Sequence, residues 1–197
     1  MITYDINYFN GGGDIGGYTL YSATTYYYET SEMLATKFLN KSIALNSNIT
    51  GKKVLVAGCA YGFLVKSLIG LGVNAYGMDI SSYAISQAPA EISSKVMVGD
   101  VRIEADFISA KAMAGITASN GKFDLIIDED MICCLTDAEA STFRTLAMKY
   151  SNMFIHFIDT APHLIQWYNW HSITEWKTNL GTSPKEKWYA RFTWSEI

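Results

Sequence analysis

The chain has 197 residues, 49% of them hydrophobic and 17% charged, and this length suits one α/β domain rather than two full domains. Its formal net charge of −4 provides no overall positive field, so a dedicated nucleic-acid-binding protein is disfavoured. No apolar run reaches the roughly 20 residues of a membrane-spanning helix, and residues 1–5 lack the features of a secretory signal. We therefore expect a cytoplasmic protein that acts away from membranes, with Cys59, Cys133 and Cys134 as reduced thiols.

The predicted elements begin after a segment that is rich in glycine and tyrosine. The glycine clusters at 11–13 and 16–17 predict a loop over residues 1–28, and the apolar spacing then predicts a helix over 31–46. Strands and helices alternate from there onward. The predicted strands are 53–57, 74–80, 95–98, 123–127 and 153–158. The predicted helices between them are 63–71, 82–88, 103–118 and 136–150.

Strands separated by helices in this way are typical of a doubly wound, mostly parallel α/β sheet with helices on both faces. Weak alternation over residues 187–194 predicts one more strand. We expect this strand to form a shortened antiparallel edge at the C-terminal side of the sheet.

The turn after the first predicted strand carries a ligand-binding pattern. In doubly wound sheets, ligands bind beyond the carboxyl ends of the strands, where the first strand-to-helix turn faces them. Gly58 and Gly62 are spaced Gly-x-x-x-Gly, and Ala60 stands where dinucleotide-binding proteins have another glycine, so NAD is the weaker hypothesis. Asp79 and Asp100 end the next two strands, where carboxylates can accept hydrogen bonds from a ribose and from an adenine amino group.

These motifs, at 54–65, 72–81 and 98–100, resemble class I S-adenosylmethionine-dependent methyltransferases from about residue 51 to residue 135. The chain is most similar to a subgroup of small stand-alone enzymes with a Gly-Gly-Tyr segment before the core, here residues 16–18. The resemblance implies a Rossmann-like fold, S-adenosylmethionine as the cofactor and methyl transfer as the activity. The cofactor-binding residues that it implies are Gly58, Cys59, Ala60 and Gly62 at the methionine part, Asp79 at the ribose, Ile80, Asp100 and Val101 at the adenine, and Tyr18.

Two positions depart from this family. Val56 stands where the family usually has an acidic residue that helps to hold the cofactor's ammonium group, so another carboxylate, for which we choose Asp128, would have to replace it. Cys133 and Cys134 precede Leu135, where relatives commonly have Glu-His. These departures leave two alternatives open: an enzyme that cleaves or transfers another part of the cofactor, and a non-catalytic cofactor-binding subunit of a partner protein.

A small molecule with an oxygen or nitrogen acceptor is the expected substrate. The Asn/Asp-Pro-Pro-aromatic motif of amino-directed methylases is absent, because residues 128–131 read Asp-Glu-Asp-Met. Methyl transfer depends mainly on alignment, which lowers a barrier by roughly 7–11 kcal/mol, so an obvious base is not required. The candidate catalytic residues are Asp128, His163 and His171, with the histidines as bases. We interpret His156 as a buried core residue.

Metal binding is a weaker hypothesis for the acids that end the last two predicted strands. Asp128 or Asp130 together with Asp159 could hold Mg²⁺. Metal-dependent relatives have Asp-Asn after the fifth strand, whereas this chain has Asp159-Thr160. We therefore expect no metal ion.

Aromatic residues are concentrated at the two ends of the chain. We expect a single domain over 1–197 with an N-terminal cap segment (1–30), a cofactor-binding core (51–159) and an aromatic-rich, substrate-side extension (160–197). The rings expected to enclose an acceptor are Tyr18, Tyr21, Tyr26, Tyr27, Tyr28, Trp167, Trp170 and Trp176. The alternative is that rings such as Trp188 pack on the fifth strand or in the interface of a homodimer, which the sequence leaves open.

Overall fold

The computed structural model of this protein describes residues 4–10, 21, 30–44, 48–158 and 171–190. The helices are α1 (Ile6–Asn10), α2 (Ser31–Ala44), α3 (Phe63–Gly70), α4 (Ser82–Ser86), α5 (Glu104–Met113), α6 (Asp137–Tyr150) and α7 (Ile173–Leu180). The strands are β1 (Lys53–Ala57), β2 (Asn74–Asp79), β3 (Val96–Val98), β4 (Phe123–Glu129), β5 (Ser151–Ile158) and β6 (Glu186–Ala190). Short 3-10 helices cover Ala90–Lys95 and Ile132–Cys134.

The strands of the described residues form one sheet in the order β3-β2-β1-β4-β5-β6, and each adjacent pair is parallel. The doubly wound α/β fold predicted from the sequence is therefore confirmed. The strand order changes direction between β1 and β4, which is where open α/β sheets bind their ligands. The carboxyl ends of β1, β2 and β4 consequently define the edge at which a functional site is expected.

The last strand is parallel to its neighbour, so the expected antiparallel edge is wrong. β6 begins with Glu186 beside Phe154 and ends with Ala190 beside Ile158. Because β5 ends at the carboxyl edge, the chain must return to the amino side before β6 begins, and α7 lies within that connection. A crossover of this kind makes consecutive strands parallel.

Two cores cover the two faces of the sheet, because successive side chains of a strand point to opposite sides. The helices α1–α4 cover one face, where the ring of Phe38 meets that of Phe157. The helices α5–α7 cover the other face, where Phe143, Trp176 and Trp188 belong to one buried cluster. Within the described ranges, no helix combines the length and apolarity that crossing a membrane requires.

Two helices were not expected from the sequence. α1 lies in the segment predicted as a loop, and it begins where the carboxylate of Asp5 accepts the N–H groups of Asn7 and Tyr8. α7 begins with a capping box, in which Ser172 and Glu175 each bond to the other's backbone N–H. Both helices are short and owe their position to the aromatic side chains that they bury, which local spacing alone does not reveal.

Candidate functional site

The turn between β1 and α3 has a left-handed backbone at three positions. Gly58 and Gly62 have φ angles of 70° and 78°, and Ala60 between them has a φ of 48°. The N–H groups of Gly58 and Cys59 both donate to the carbonyl of Met78, at 2.8 and 3.1 Å. These bonds hold the turn against the end of β2, so its backbone lies at the carboxyl edge, where the cofactor's methionine part was expected.

Asp79 ends β2 directly beside this turn. Its Oδ2 accepts the N–H of Ala60 at 2.8 Å, and its Oδ1 accepts the N–H of Ser81 at 2.8 Å. Burial raises the pKa of the Asp79 carboxyl group, although the two N–H donors act in the opposite direction. The next residue, Ile80, is 46% exposed. A hydrogen-bond acceptor and an exposed apolar side chain thus lie side by side at the end of β2.

Asp100 follows β3 at the same edge, and its carboxylate is engaged in an ion pair. Oδ1 accepts the Nε–H of Arg102 at 2.8 Å, and Oδ2 accepts from Nη2 at 2.6 Å. Burial raises the pKa of Asp100, but the hydrogen bonds and charge of Arg102 lower it more, so the pKa lies below its ordinary value. Arg102 also pairs with Glu139 in α6, while Val101 is buried. An adenine amino group would therefore share Asp100 with Arg102, a neighbour that the sequence patterns did not single out.

Asp128 is fully buried in β4, and both of its oxygens already accept hydrogen bonds. Oδ1 accepts the N–H groups of Met131 at 3.0 Å and Ile132 at 3.1 Å, and Oδ2 lies 2.8 Å from Nδ1 of His156. Because the side chain is fully buried, a catalytic role or a bond to the cofactor's ammonium group would require the surrounding residues to move. His156 is likewise fully buried, as its position in a buried strand predicts.

The hydrogen bonds of Asp128 also do not suit a metal site. N–H groups face the carboxylate oxygen Oδ1, which would otherwise be free to coordinate the ion. Among the described side chains, no group of three or more His, Cys, Asp or Glu could hold a metal ion. Asp159, the other acid considered for Mg²⁺, lies outside the described residues.

Tyr4 belongs to the N-terminal segment and spans the edge between β2 and the loop after β4. Its carbonyl accepts a hydrogen bond from the hydroxyl of Ser81. Burial of its own hydroxyl, a hydrogen bond with the thiol of Cys134, and the nearby Cys133 and Asp79 all raise the pKa of Tyr4 above its ordinary value. Tyr4 is therefore a site residue that the sequence motifs did not predict, because its position depends on how the N-terminal segment folds back onto β2.

Aromatic rings connect the N-terminal segment to the glycine turn. The rings of Phe9 and Tyr21 each lie 4.9 Å from the ring of Tyr61, centroid to centroid. Trp176 and Trp188 instead fill the core on the opposite face of the sheet, so for these two the packing alternative is correct. The other rings expected to enclose an acceptor lie outside the described residues: Tyr18, Tyr26, Tyr27, Tyr28, Trp167 and Trp170.

His171 lies just before α7, next to the first residue of α6. Its Nε2 is 2.9 Å from Oδ1 of Asp137, and its ring meets the ring of Trp176 edge to face, with centroids 4.6 Å apart. Because α6 begins near the carboxyl edge of the sheet, this pair lies on the side where an acceptor would bind. His163, the other candidate base, lies outside the described residues, so its role stays a prediction.

The cysteines are free thiols, and Cys59 and Cys133 are buried. The Cys59 side chain packs against β2, since a Cβ atom built on Gly77 would lie 2.6 Å from its Sγ. Burial and the nearby Asp79 raise the pKa of Cys59. Cys59 can therefore serve a ligand at this turn through its backbone rather than as a thiolate.

Comparisons with known proteins agree with this geometry. Residues 55–147 match the protein family described as a methyltransferase domain. Over 93 residues the chain is 31% identical to the ubiquinone biosynthesis O-methyltransferase of Paraburkholderia phytofirmans. This match covers 47% of this chain and 37% of that relative. The chain therefore spans well under half the length of this curated relative.

Solved structures show the same fold. Magnesium protoporphyrin IX methyltransferase from Synechocystis PCC 6803 with bound S-adenosylmethionine has a TM-score of 0.55 and 21% identity, covering 76% of this chain and 66% of that one. The same enzyme with bound S-adenosylhomocysteine has a TM-score of 0.55 and 19% identity, covering 76% and 71%. Residues 55–147 thus match the methyltransferase-domain family, and the parallel sheet with its glycine turn has the fold of class I methyltransferases.

Proposed function

We propose that this chain binds S-adenosylmethionine beyond the carboxyl ends of β1–β3 and transfers its methyl group to an oxygen or nitrogen atom of a small molecule. The observation that carries the proposal is the position of Asp79. Its carboxylate is held against the N–H of Ala60 in the glycine turn, with the exposed Ile80 beside it. A nucleoside requires a hydrogen-bond acceptor for the two neighbouring hydroxyl groups of its ribose and an apolar surface for its flat base.

The residues at this edge fit the cofactor, with one exception. The backbone of Gly58, Cys59, Ala60 and Gly62 would line the methionine part. Ile80 would pack on the adenine, and Asp100 and Val101 would flank its edge. Tyr18 stays a proposed contact. The exception is Asp128, which is fully buried and already accepts three hydrogen bonds, so a bond to the cofactor's ammonium group would require a rearrangement of the loop after β4.

When bound, the cofactor supplies a methyl group on a positively charged sulfonium. The protein's part is to align the acceptor with this group and to exclude water, and alignment of reactants can contribute roughly 7–11 kcal/mol. Tyr4 supports this role for the N-terminal segment, because its carbonyl accepts a hydrogen bond from Ser81 at the end of β2 and the nearby Cys133 and Cys134 after β4 raise the pKa of its buried hydroxyl. We propose that the segment over residues 1–30 caps the site and that residues 160–197 contribute its acceptor side.

We propose His171 as the general base, with Asp137 orienting its ring through the 2.9 Å contact to Nε2. His163 is the second candidate. A His171→Gln variant should lower kcat by about 10²–10⁴-fold if the ring takes the proton of the substrate's oxygen or nitrogen atom. An unchanged kcat would restrict His171 to its contact with Trp176.

A small-molecule acceptor is supported by the net charge of −4 and by the sequence Asp-Glu-Asp-Met at 128–131, where nucleic-acid amino methylases have a different motif. The name of the curated relative describes an O-methyltransferase, which favours oxygen as the acceptor atom.

Calorimetric titration with S-adenosylmethionine and S-adenosylhomocysteine tests the proposal. Asp79→Asn should weaken both affinities by about 100-fold, because hydrogen bonds to a charged group contribute about 1.5–3 kcal/mol each. Asp124→Asn is the matched control. Asp124 also accepts a backbone N–H, that of Lys53 at 2.9 Å, but it lies at the amino end of the sheet. Equal losses in both variants, or no binding by the wild-type protein, would refute the site.

Transfer of a labelled methyl group to a panel of phenols, amines and carboxylic acids then tests the chemistry. Product formation that depends on Asp79 supports methyl transfer. Binding without any labelled product would instead favour a cofactor-binding subunit, and cleavage of the cofactor without transfer would favour the other alternative left open by Val56, Cys133 and Cys134.

A further inference from the structure

A chain of charged side chains runs through the core from β6 to the loop after β4. His156 lies between two carboxylates: Nδ1 is 2.8 Å from Oδ2 of Asp128, and Nε2 is 3.0 Å from Oε1 of Glu186. Glu186 in turn accepts two parallel hydrogen bonds from Arg144 of α6, at 2.8 Å from Nε and 2.8 Å from Nη2. The side chains of His156, Asp128 and Glu186 are all fully buried.

The number of donors and acceptors determines the charge of the ring. Both carboxylates face a ring nitrogen, and a carboxylate can only accept, so both nitrogens of His156 must donate. A neutral ring has a single N–H and would leave a lone pair of one nitrogen against a buried carboxylate. The imidazolium form satisfies both contacts. It also balances the charges of the group, since His156 and Arg144 are then positive while Asp128 and Glu186 are negative.

This charge chain is connected to the glycine turn through Asp128. The second oxygen of Asp128 accepts the N–H groups of Met131 and Ile132, which fixes the start of the loop after β4. The Met131 side chain packs directly against the turn, since a Cβ atom built on Gly58 would lie 2.5 Å from Cγ of Met131. The path from Glu186 to Gly58 is therefore an unbroken series of contacts.

We propose that His156 is a positioning residue for the cofactor site: held as an imidazolium between Asp128 and Glu186, it fixes the loop on which the glycine turn rests. This inference builds on the proposed function, because the affinity that it controls is that for S-adenosylmethionine. Asp128 then acts through the loop backbone rather than by touching the ligand.

The protonation of the ring can be measured directly by nitrogen-15 NMR of the full chain. A His163→Gln/His171→Gln variant leaves His156 as the remaining histidine and removes spectral overlap. We expect both ring nitrogens of His156 to carry a proton at pH 7, because hydrogen bonds and charges from the two carboxylates raise the pKa of the ring above its ordinary value of 6.5. A neutral tautomer at pH 7 would overturn the proposal, and this test requires no ligand.

The positioning role is tested by the pH dependence of S-adenosylhomocysteine affinity. In the wild-type protein the affinity should fall over the same pH range in which the ring loses its proton. Glu186→Gln keeps an oxygen acceptor but removes one negative charge, so the fall should move to lower pH, and between the two transitions the variant should bind about tenfold more weakly than the wild-type protein. The matched control is Glu104→Gln, which removes the same charge from a surface pair with Lys149.

If Glu186 has a purely structural role, Glu186→Gln should lower the melting temperature but leave the pH profile of binding unchanged. That result would overturn the proposal. If Glu186→Gln does not fold, the wild-type comparison decides, because an affinity that falls at a pH different from that of the ring titration also overturns it. If the wild-type protein binds neither S-adenosylmethionine nor S-adenosylhomocysteine, the proposed function fails and the positioning role fails with it. The NMR result on the imidazolium would still stand in that case.

Discussion

The close contact between Gly58 and Met131 leads to a quantitative prediction for Gly58→Ala. The backbone at Gly58 has a φ of +70°, and a left-handed conformation costs an L-residue such as alanine about 1–2 kcal/mol. The new Cβ atom would also lie 2.5 Å from Cγ and 2.8 Å from Cβ of Met131. Crowding of this kind in a packed region typically costs about 1–3 kcal/mol.

The two effects together should lower the free energy of unfolding by about 2–5 kcal/mol. Such a loss is large beside the roughly 5–15 kcal/mol by which domains are usually stable. Gly51→Ala separates the two effects, because Gly51 has a φ of +74° with no atom within 4 Å of its built Cβ. We expect this control to lose only the backbone part, about 1–2 kcal/mol.

Urea unfolding of the wild-type protein and both variants measures these losses, provided that the slope of the transition is unchanged. S-adenosylhomocysteine titration should show weakened binding for Gly58→Ala and wild-type affinity for Gly51→Ala. Adding Met131→Ala to Gly58→Ala removes the Cγ contact and should recover about 1 kcal/mol in a double-mutant cycle. Equal losses for Gly58→Ala and Gly51→Ala would refute the packing argument.

Two further predictions concern pH and helix capping. Burial lowers the pKa of His156, but hydrogen bonds and charges from two carboxylates raise it more, so its pKa lies above 6.5. The ring's contribution to stability should therefore be complete below about pH 6.5, and it should be lost as the pH rises through the raised pKa. A urea midpoint that stays constant from pH 6.5 to 9.5 would contradict this. Thr136→Ala removes the capping box of α6 and should cost about 1 kcal/mol in urea unfolding, whereas Thr142→Ala within the same helix should cost close to nothing. Equal costs at the two threonines would show that the cap contributes nothing.

The central elements were predictable because their signals are local. The bounds of β1 are the predicted ones, since Lys53–Ala57 is a short apolar run that ends at a glycine. α5 ends at Met113 rather than at the predicted residue 118, because Gly115 adopts a φ of +63° and terminates the helix. The capping box of Ser172 and Glu175 marks the start of α7 locally, whereas the position of this helix depends on the burial of Trp176.

The direction of β6 was not predictable in the same way. It depends on whether the chain reaches Glu186 at the amino edge or at the carboxyl edge of the sheet, and hence on the connection that contains α7. A weak alternation of side chains is compatible with either direction, since it reports only which residues face the same side.

The site was predictable in outline and not in its contacts. Chain order alone brings the glycine turn and Asp79 to one edge, because parallel strands end at the same side of a sheet. The hydrogen-bond partners of Asp128 were not accessible to this reasoning, since His156 lies 28 positions away. The place of Tyr4 over the same edge depends in turn on how the N-terminal segment folds back onto Ser81.

The buried charges also restrict how the edge strand β6 can align with β5. A slip of two residues would keep every side chain on its own face of the sheet, so apolar burial distinguishes such alignments only weakly. In the observed alignment Glu186 pairs with Phe154 and reaches both His156 and Arg144. After a slip, one of these charges would lose its partner inside the protein, at a cost of about 3–5 kcal/mol. An apolar replacement of the whole group should therefore retain much of the stability while allowing β6 to occupy more than one register.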